Sequence, residues 1–224
     1  MLLPPHGRVM LTFSQSYILR YRLVCLILAV GYFLYQFTEA NYNNFGIQFR
    51  YLTIWGLTAA MVATWLLYKS KHKGLPESYL SFVSATAVLN AMVVFLYWKL
   101  YFIDPSLVNY SGSIVWFQEY YLHILGPALI ILDALLLNNS FTQVKKGVLT
   151  ILAICLLYIL WSEAVTGPLN DTPEGSVING LPYPFLNNMS SSERVSFYAT
   201  TIVTGLGFYA VGWILAKLKS KFAE

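Results

Sequence analysis

Apolar residues fall in six long runs along the chain, separated by short polar segments. Each run approaches the roughly 20 residues that a helix needs to cross the hydrocarbon core of a bilayer. Backbone in lipid must satisfy its own hydrogen bonds, so continuous apolar runs of this length predict helices. The predicted spans cover residues 18–37, 48–68, 79–102, 114–137, 147–163 and 195–217. We therefore predict an all-α, polytopic membrane protein with one transmembrane domain over residues 1–224.

The composition agrees with a surface covered by lipid. Hydrophobic residues make up 57% of the chain and charged residues only 11%. A soluble domain of this size needs more charge on its surface, so that class is excluded. Aromatic residues reach 17%, which is typical of side chains that anchor a protein at two membrane interfaces.

The distribution of charge predicts the orientation of the chain. Eleven of the 14 Lys and Arg residues lie on one side of the predicted spans. The positive-inside rule places that side, with both termini, in the cytoplasm. Several membranes are compatible with this orientation: the endoplasmic reticulum or another internal membrane in a eukaryote, or the inner membrane in a bacterium. The eleven residues are Arg8, Arg20, Arg22, Lys69, Lys71, Lys73, Lys145, Lys146, Lys217, Lys219 and Lys221.

Metal, cofactor and nucleic-acid chemistry have little support in the sequence. His6, His72 and His123 are scattered without ligand spacing, and no basic run is long enough to bind nucleic acid. Cys25 and Cys155 lie in apolar runs, where we expect packed side chains and no disulfide. We expect no metal and no cofactor, and the sequence leaves the oligomeric state undetermined.

Three polar residues within the spans are candidates for chemistry. His123 lies about nine residues into the fourth span, where an imidazole acts either as a base or as a packing group bonded to a neighbouring helix. Glu119 precedes it by four residues and shares its helix face, either to orient the imidazole or to meet interfacial water. Thr53 lies in the same half of the membrane. Thr53 can act as a nucleophile only if a nearby base takes the proton of its hydroxyl. The alternative is the usual one for a threonine in a helix, whose hydroxyl donates to the carbonyl four residues earlier.

Three further ionisable groups lie near the ends of spans. Arg50 and Lys99 are expected at the outer side, where they either hold a lipid carboxylate or phosphate or snorkel to the headgroups. Asp133 lies on another face than His123, and we expect a structural pair with Arg20 or Arg22.

The connection over residues 164–194 is the only long one and is rich in Gly and Pro, which excludes a helix. A connection of this length is either a lid or entrance, or a tolerated surface loop. Glu163 is expected to cap the fifth span and order this connection.

Several short motifs resemble one family of membrane proteins. They are Phe49-Arg50-Tyr51-Leu52-Thr53, His123 with Gly126-Pro127 and Leu132-Asp133, Thr166-Gly167-Pro168, and Tyr183-Pro184-Phe185-Leu186. Their order resembles the androgen-induced (FAR-17a-like) family from about Phe45 to the last helix, and the last motif resembles its microbial branch.

The resemblance implies a threonine hydrolase that cleaves fatty acid esters of hydroxy fatty acids. In that family a Thr and a His within the membrane are required, and by position they fall on Thr53 and His123. The resemblance thus implies an intramembrane lipid esterase whose substrate lies in the bilayer, with Arg50, Glu119 and Lys99 as candidate substrate-binding residues.

Two other classes of function stay open at this point. One is a protein that binds or transports a small ligand or lipid, although no span shows the paired Gly and Pro interruptions of inverted-repeat transporters. The other is a membrane scaffold in which the polar residues only join helices. A flux assay in proteoliposomes separates the first from an enzyme, and an unchanged phenotype after replacement of Thr53 and His123 favours the second.

Overall fold

The computed structural model describes residues 14–70, 76–108, 115–170 and 180–223. These residues form six helices that are long and apolar enough to cross a membrane, and the described part contains no strand. The chain is therefore a multi-pass, all-helical membrane protein. The helices are α1 (Gln15–Thr38), α2 (Leu52–Lys69), α3 (Glu77–Ile103), α4 (Trp116–Leu137), α5 (Val144–Thr166) and α6 (Ser191–Ala223).

The predicted count of six spans is confirmed, but the predicted start of the second span was wrong. The sequence predicted a span from residue 48, whereas α2 begins at Leu52. A separate 3-10 turn, Ile47–Arg50, precedes it and follows Gly46, whose φ of +83° is left-handed. The carbonyl of Phe49 accepts hydrogen bonds from two indole groups, those of Trp55 and Trp161, each at 2.9 Å. These contacts fix the turn as a structure distinct from the helix.

Helix α3 forms the centre of the bundle and contacts α2, α4, α5 and α6. A continuous stretch from Val83 to Asn90 is buried and consists mostly of small residues. Small side chains let helix backbones approach closely, which is the main source of helix association in lipid. Helix α1 lies at the periphery and packs on α2 and α4.

A buried ion pair ties three helices together at the end of the bundle where α1 begins. Arg22 on α1 donates two hydrogen bonds to the carboxylate of Asp133 on α4, both at 2.8 Å. Its remaining terminal nitrogen donates to the carbonyl of Leu67 on α2 at 3.0 Å. The predicted structural role of Asp133 is confirmed, and of the two candidate partners the structure selects Arg22.

A second ion pair closes the opposite end, at which α1 ends and α2 begins; we call this the site end. Glu163 on α5 accepts from Arg194 on α6 at 2.8 Å and from the hydroxyl of Tyr198 at 2.7 Å. Arg194 also donates to the carbonyl of Met189 at 2.9 Å. The prediction that Glu163 caps the fifth span was wrong, because α5 continues to Thr166, and Glu163 reaches the long connection only through Arg194, whose guanidinium bonds the carbonyl of Met189. That connection is shorter than predicted, because α5 continues to Thr166 and α6 begins at Ser191.

Candidate active site

A cavity of about 360 Å³ opens among the helices at the site end. Its volume is at the lower end of pockets that bind small ligands, about 300–1,000 Å³. Its walls are mainly apolar, with a group of polar side chains. The polar lining residues are Gln36, Glu39, Gln48, Tyr51, Thr53, Tyr97, Gln118, Glu119, His123, Tyr158, Tyr183, Tyr198 and Thr201. An apolar cavity with a few convergent polar groups is the usual form of a site for an apolar ligand.

Thr53 is the second residue of α2 and lines this cavity. Threonines inside helices usually bond the carbonyl four residues earlier. Thr58 and Thr200 do so in this protein, at 2.7 and 2.8 Å. For Thr53 the corresponding carbonyl belongs to Phe49 and already accepts two indole N–H groups. The hydroxyl of Thr53 is therefore left for other partners.

The position of His123 follows from Pro127, four residues later on α4. Proline has no N–H and its ring collides with the carbonyl four residues earlier, which here is that of His123. The helix widens to π geometry over Tyr121–Leu125, and the freed carbonyl accepts the indole N–H of Trp98 at 2.9 Å. Single π turns of this kind often occur at functional sites.

Thr53, His123 and Glu119 form a line of contacts. The hydroxyl oxygen of Thr53 lies 3.3 Å from Nε2 of His123, and Nδ1 of His123 lies 2.9 Å from the Glu119 carboxylate. The second contact is close but does not meet the geometry of a hydrogen bond in the free protein. Catalytic hydrogen bonds are often loose in a free enzyme and tighten when the substrate binds.

The aromatic ring of Tyr97 holds the imidazole in place. The two rings stack with their centroids 3.5 Å apart and an interplanar angle of 7°. The Tyr97 hydroxyl also lies close to the carboxylate of Glu119. Both the base and its carboxylate are thus positioned by one residue of the central helix α3.

Thr53 and His123 meet although they occupy different positions along their helices. Thr53 is at the start of α2, whereas His123 lies about 10 Å along α4 from its start at about 1.5 Å per residue. The segment that joins α1 to α2 must therefore fold inward, and Gln48 within it donates to the carbonyl of Gln36 near the end of α1 at 2.9 Å. Irregular backbone is tolerated at such depth only where it is buried in protein or lines a cavity.

Tyr183 belongs to the site, although its only role predicted from the sequence was its place in a motif. Its hydroxyl oxygen accepts the backbone N–H of Leu52 at 3.1 Å and lies near the hydroxyls of Thr53 and Tyr158. Tyr158 donates its own proton to the carbonyl of Arg50 at 2.8 Å, so the proton of Tyr183 is available to the site. Burial raises the pKa of Tyr183 to about 12, which keeps the hydroxyl protonated.

The structure does not bring Arg50 and Lys99 into the cavity lining. Arg50 is buried and donates to the carbonyl of Gly180 at 2.9 Å; burial lowers the pKa of its guanidinium. Lys99 is exposed on α3, with its ammonium 5.8 Å from the ring of Phe95. Of the five residues proposed from the sequence, Thr53, His123 and Glu119 converge on one cavity.

The two thiols are packed as predicted, since Cys25 and Cys155 are free and buried. Cys155 lines the cavity and contributes to its apolar wall. Within the described ranges no group of three His, Cys, Asp or Glu side chains is placed to hold a metal ion.

These features define a six-helix membrane protein with a hydroxyl, an imidazole and a carboxylate in contact at an apolar cavity. The chain belongs to the FAR-17a/AIG1-like protein family, whose model matches residues 16–217. No curated protein sequence and no solved structure matches the chain.

Proposed function

We propose that this protein is an intramembrane esterase that hydrolyses lipid esters, with Thr53 as nucleophile and His123 as general base. The observation that carries the proposal is the contact of Thr53 with Nε2 of His123 at 3.3 Å inside a cavity of about 360 Å³. A nucleophile, a base and a group that orients the base are the recurring parts of acyl-transfer sites. The family match is the second support, because this family is linked to lipid hydrolase activity.

In the first half of the reaction, His123 takes the proton of the Thr53 hydroxyl as its oxygen attacks the ester carbonyl carbon. Glu119 stabilises the imidazolium that forms, through the contact at Nδ1. When the tetrahedral intermediate collapses, the bond to the alkoxy group breaks and the imidazolium donates its proton to the departing alcohol. The acyl group is left on the Thr53 oxygen.

In the second half, water attacks the acyl-threonine while His123 accepts one of its protons. The intermediate then collapses, the proton returns to the Thr53 oxygen, and the fatty acid leaves. Water reaches the acyl-threonine from the site end, where Glu39 at the end of α1 is an exposed member of the cavity lining.

The negative oxygen of both tetrahedral intermediates needs hydrogen-bond donors. Two are available beside Thr53. In the first turn of α2 the N–H groups of Leu52 and Ile54 already donate to Tyr183 and Tyr51, which leaves the N–H of Thr53 as a donor, and the helix dipole favours negative charge there. The hydroxyl of Tyr183 is the other donor, since it is protonated and lines the same cavity near Thr53.

The experiment that tests the proposal is labelling of the purified protein with a fluorophosphonate lipid probe. We expect labelling of the wild type and its loss in Thr53→Ala and His123→Ala. Thr58→Ala is the matched control, because Thr58 is on the same helix but bonds the carbonyl of Ile54. Labelling that survives Thr53→Ala removes Thr53 as nucleophile. An unlabelled wild type that still binds a fluorescent fatty acid favours the ligand-binding class of function.

A further inference from the structure

The wall of the cavity differs in character on its two sides. The side formed by α1, the turn before α2 and the start of α4 carries carboxylates and amides, whereas the side formed by α3, α5 and α6 is mostly apolar. The two sides lie apart in the bundle, because α1 packs on α2 and α4 while α6 packs mainly on α3 and α5. We call the second side the apolar arm. It is lined by Met92, Val93, Leu96, Cys155, Ile159 and Ile202.

Three hydroxyl groups on α5 and α6 also line the apolar arm, and all three are bonded within the protein. Tyr158 and Thr201 donate to backbone carbonyls, each at 2.8 Å. Tyr198 donates to the carboxylate of Glu163 at 2.7 Å. Because these groups have already given their protons to protein acceptors, this side of the cavity suits a hydrocarbon chain.

The apolar arm ends at a floor of packed side chains. Met92 and Cys155 are the lining residues farthest from the site end on α3 and α5. Met92 lies five residues before Tyr97, the residue that stacks on the imidazole, so the arm extends about 7 to 8 Å beyond Tyr97 at about 1.5 Å per residue. One turn beyond the floor, Leu89 and Ile151 are 0% and 2% exposed and do not line the cavity. The hydrophobic core therefore closes the arm at its far end.

Met92 has its position because α6 carries a glycine opposite it. A Cβ added at Gly205 would lie 2.6 Å from the sulfur of Met92, closer than a Cβ approaches other atoms in folded proteins. Met92 is 1% exposed and belongs to the main hydrophobic cluster, so the cavity is the open side towards which it can move. Its side chain is unbranched and flexible. A larger residue at position 205 would therefore displace the Met92 side chain into the apolar arm.

We propose that the acyl chain of the substrate ester lies in the apolar arm, and that Met92 and Gly205 set the longest acyl chain that the site accepts. This inference rests on the proposed esterase function and adds its chain-length specificity. Thr53 lies on α2, which contacts both α1 and α3, so an ester carbonyl at its hydroxyl has the apolar arm on one side. The close-packed floor leaves no space for further methylene groups once the arm is filled.

The test measures kcat/KM for a series of esters of one hydroxystearic acid that differ only in the length of a saturated acyl chain, from octanoyl to eicosanoyl. Release of the acyl chain as a fatty acid is followed with the full-length protein in phosphatidylcholine vesicles. At one chain length we expect kcat/KM to fall at least about tenfold when two methylene groups are added, because one methylene in an apolar pocket changes it by about 10- to 200-fold. The ratio between two esters does not depend on the fraction of protein that is folded.

Two substitutions should move this chain-length limit in opposite directions. Met92→Ala removes part of the floor and should move the limit to longer chains, whereas Gly205→Ala displaces Met92 and should move it to shorter chains. Gly207→Ala is the matched control for the glycine, because a Cβ at Gly207 meets no atom within 4 Å. Leu67→Ala is the control for the methionine, because Leu67 is also 1% exposed but lies on α2 outside the lining. Both controls should keep the wild-type limit.

A wild type without such a fall in kcat/KM overturns the inference. A limit that stays in place in Met92→Ala or in Gly205→Ala also overturns it, and if one of these variants does not fold, the other decides. Fluorophosphonates with alkyl chains of the same lengths give a second readout that needs no ester cleavage.

This second readout separates the inference from the proposed function. If no ester of the series is cleaved but Thr53 is labelled, the rate of labelling decides. A limit in alkyl length that shifts in the two variants supports the inference, whereas a rate that is independent of alkyl length overturns it. Absence of labelling in the wild type overturns the esterase function and the inference with it.

Discussion

The indole nitrogen of Trp98 donates a hydrogen bond of 2.9 Å to the backbone carbonyl of His123. This carbonyl lacks its usual partner because Pro127 has no N–H to offer it. Trp98 therefore compensates for the proline, and it does so from α3, next to the tyrosine that stacks on the imidazole. The orientation of the His123 imidazole therefore depends on the contact between α3 and α4 as well as on the geometry of α4 itself.

Replacement of Trp98 by Phe should lower kcat and stability together. An unsatisfied buried carbonyl costs about 1–3 kcal/mol, and the loss frees the turn that carries His123. Thermal unfolding in detergent and the rate of ester hydrolysis measure the two effects. Trp116→Phe is the control, because Trp116 is 68% exposed. Wild-type values for both quantities in Trp98→Phe would show that the bond is dispensable.

Replacement of Glu119 by Gln should reduce kcat by on the order of 10³ to 10⁴ with little change in KM, as expected for the residue that orients a catalytic base. The carboxamide keeps the shape of the side chain but loses the charge that stabilises the imidazolium. Steady-state kinetics measure the change. Asp104→Asn, at an exposed carboxylate of the site end, should behave as wild type. A modest effect that appears in KM alone would assign Glu119 to substrate binding instead.

Tyr183→Phe should lower kcat by about 10²- to 10³-fold, the usual cost of one oxyanion donor. The shape of the pH profile should stay the same. Because the pKa of Tyr183 is raised to about 12, its hydroxyl remains protonated and adds no alkaline limb up to about pH 10. The pH dependence of kcat for wild type, Tyr183→Phe and the exposed-site control Tyr120→Phe measures both effects. An alkaline limb in wild type that disappears in Tyr183→Phe would contradict this account.

The ion pair between Arg22 and Asp133 should matter for folding and not for chemistry. Removal of one partner of a buried pair leaves an uncompensated charge and costs about 3–5 kcal/mol. Arg22→Ala should therefore lower the unfolding temperature strongly, whereas Arg20→Ala, at an exposed position, should not. The protein that remains folded in Arg22→Ala should keep its activity per labelled site. An unchanged unfolding temperature would show that the pair is not stabilising.

The sequence predicts the helices well because each must present about 20 apolar residues to lipid, a property that depends on local composition. It predicts Thr53, His123 and Glu119 through a family resemblance and the four-residue spacing of the last two. It does not predict that α2 begins at Leu52, because that start depends on indole groups of Trp55 and Trp161 bonding one carbonyl.

The roles of Arg50 and Tyr183 also depend on distant contacts. A cation near the end of a span looks the same in sequence whether it faces a cavity or donates to the carbonyl of Gly180, 130 residues away. Tyr183 approaches Leu52 from the connection between α5 and α6, which hydropathy describes only as a loop. The sequence motif around Tyr183 was the one available signal for it.

The most direct measurement is mass spectrometry of the wild-type protein after reaction with the fluorophosphonate lipid probe, to locate the modified residue. The account predicts a phosphonyl adduct on the peptide that contains Thr53, with fragment ions that place it on the Thr53 oxygen. It predicts no adduct on the same peptide from the His123→Ala variant. An adduct on another hydroxyl, such as that of Tyr183, would contradict the assignment of Thr53 as the nucleophile.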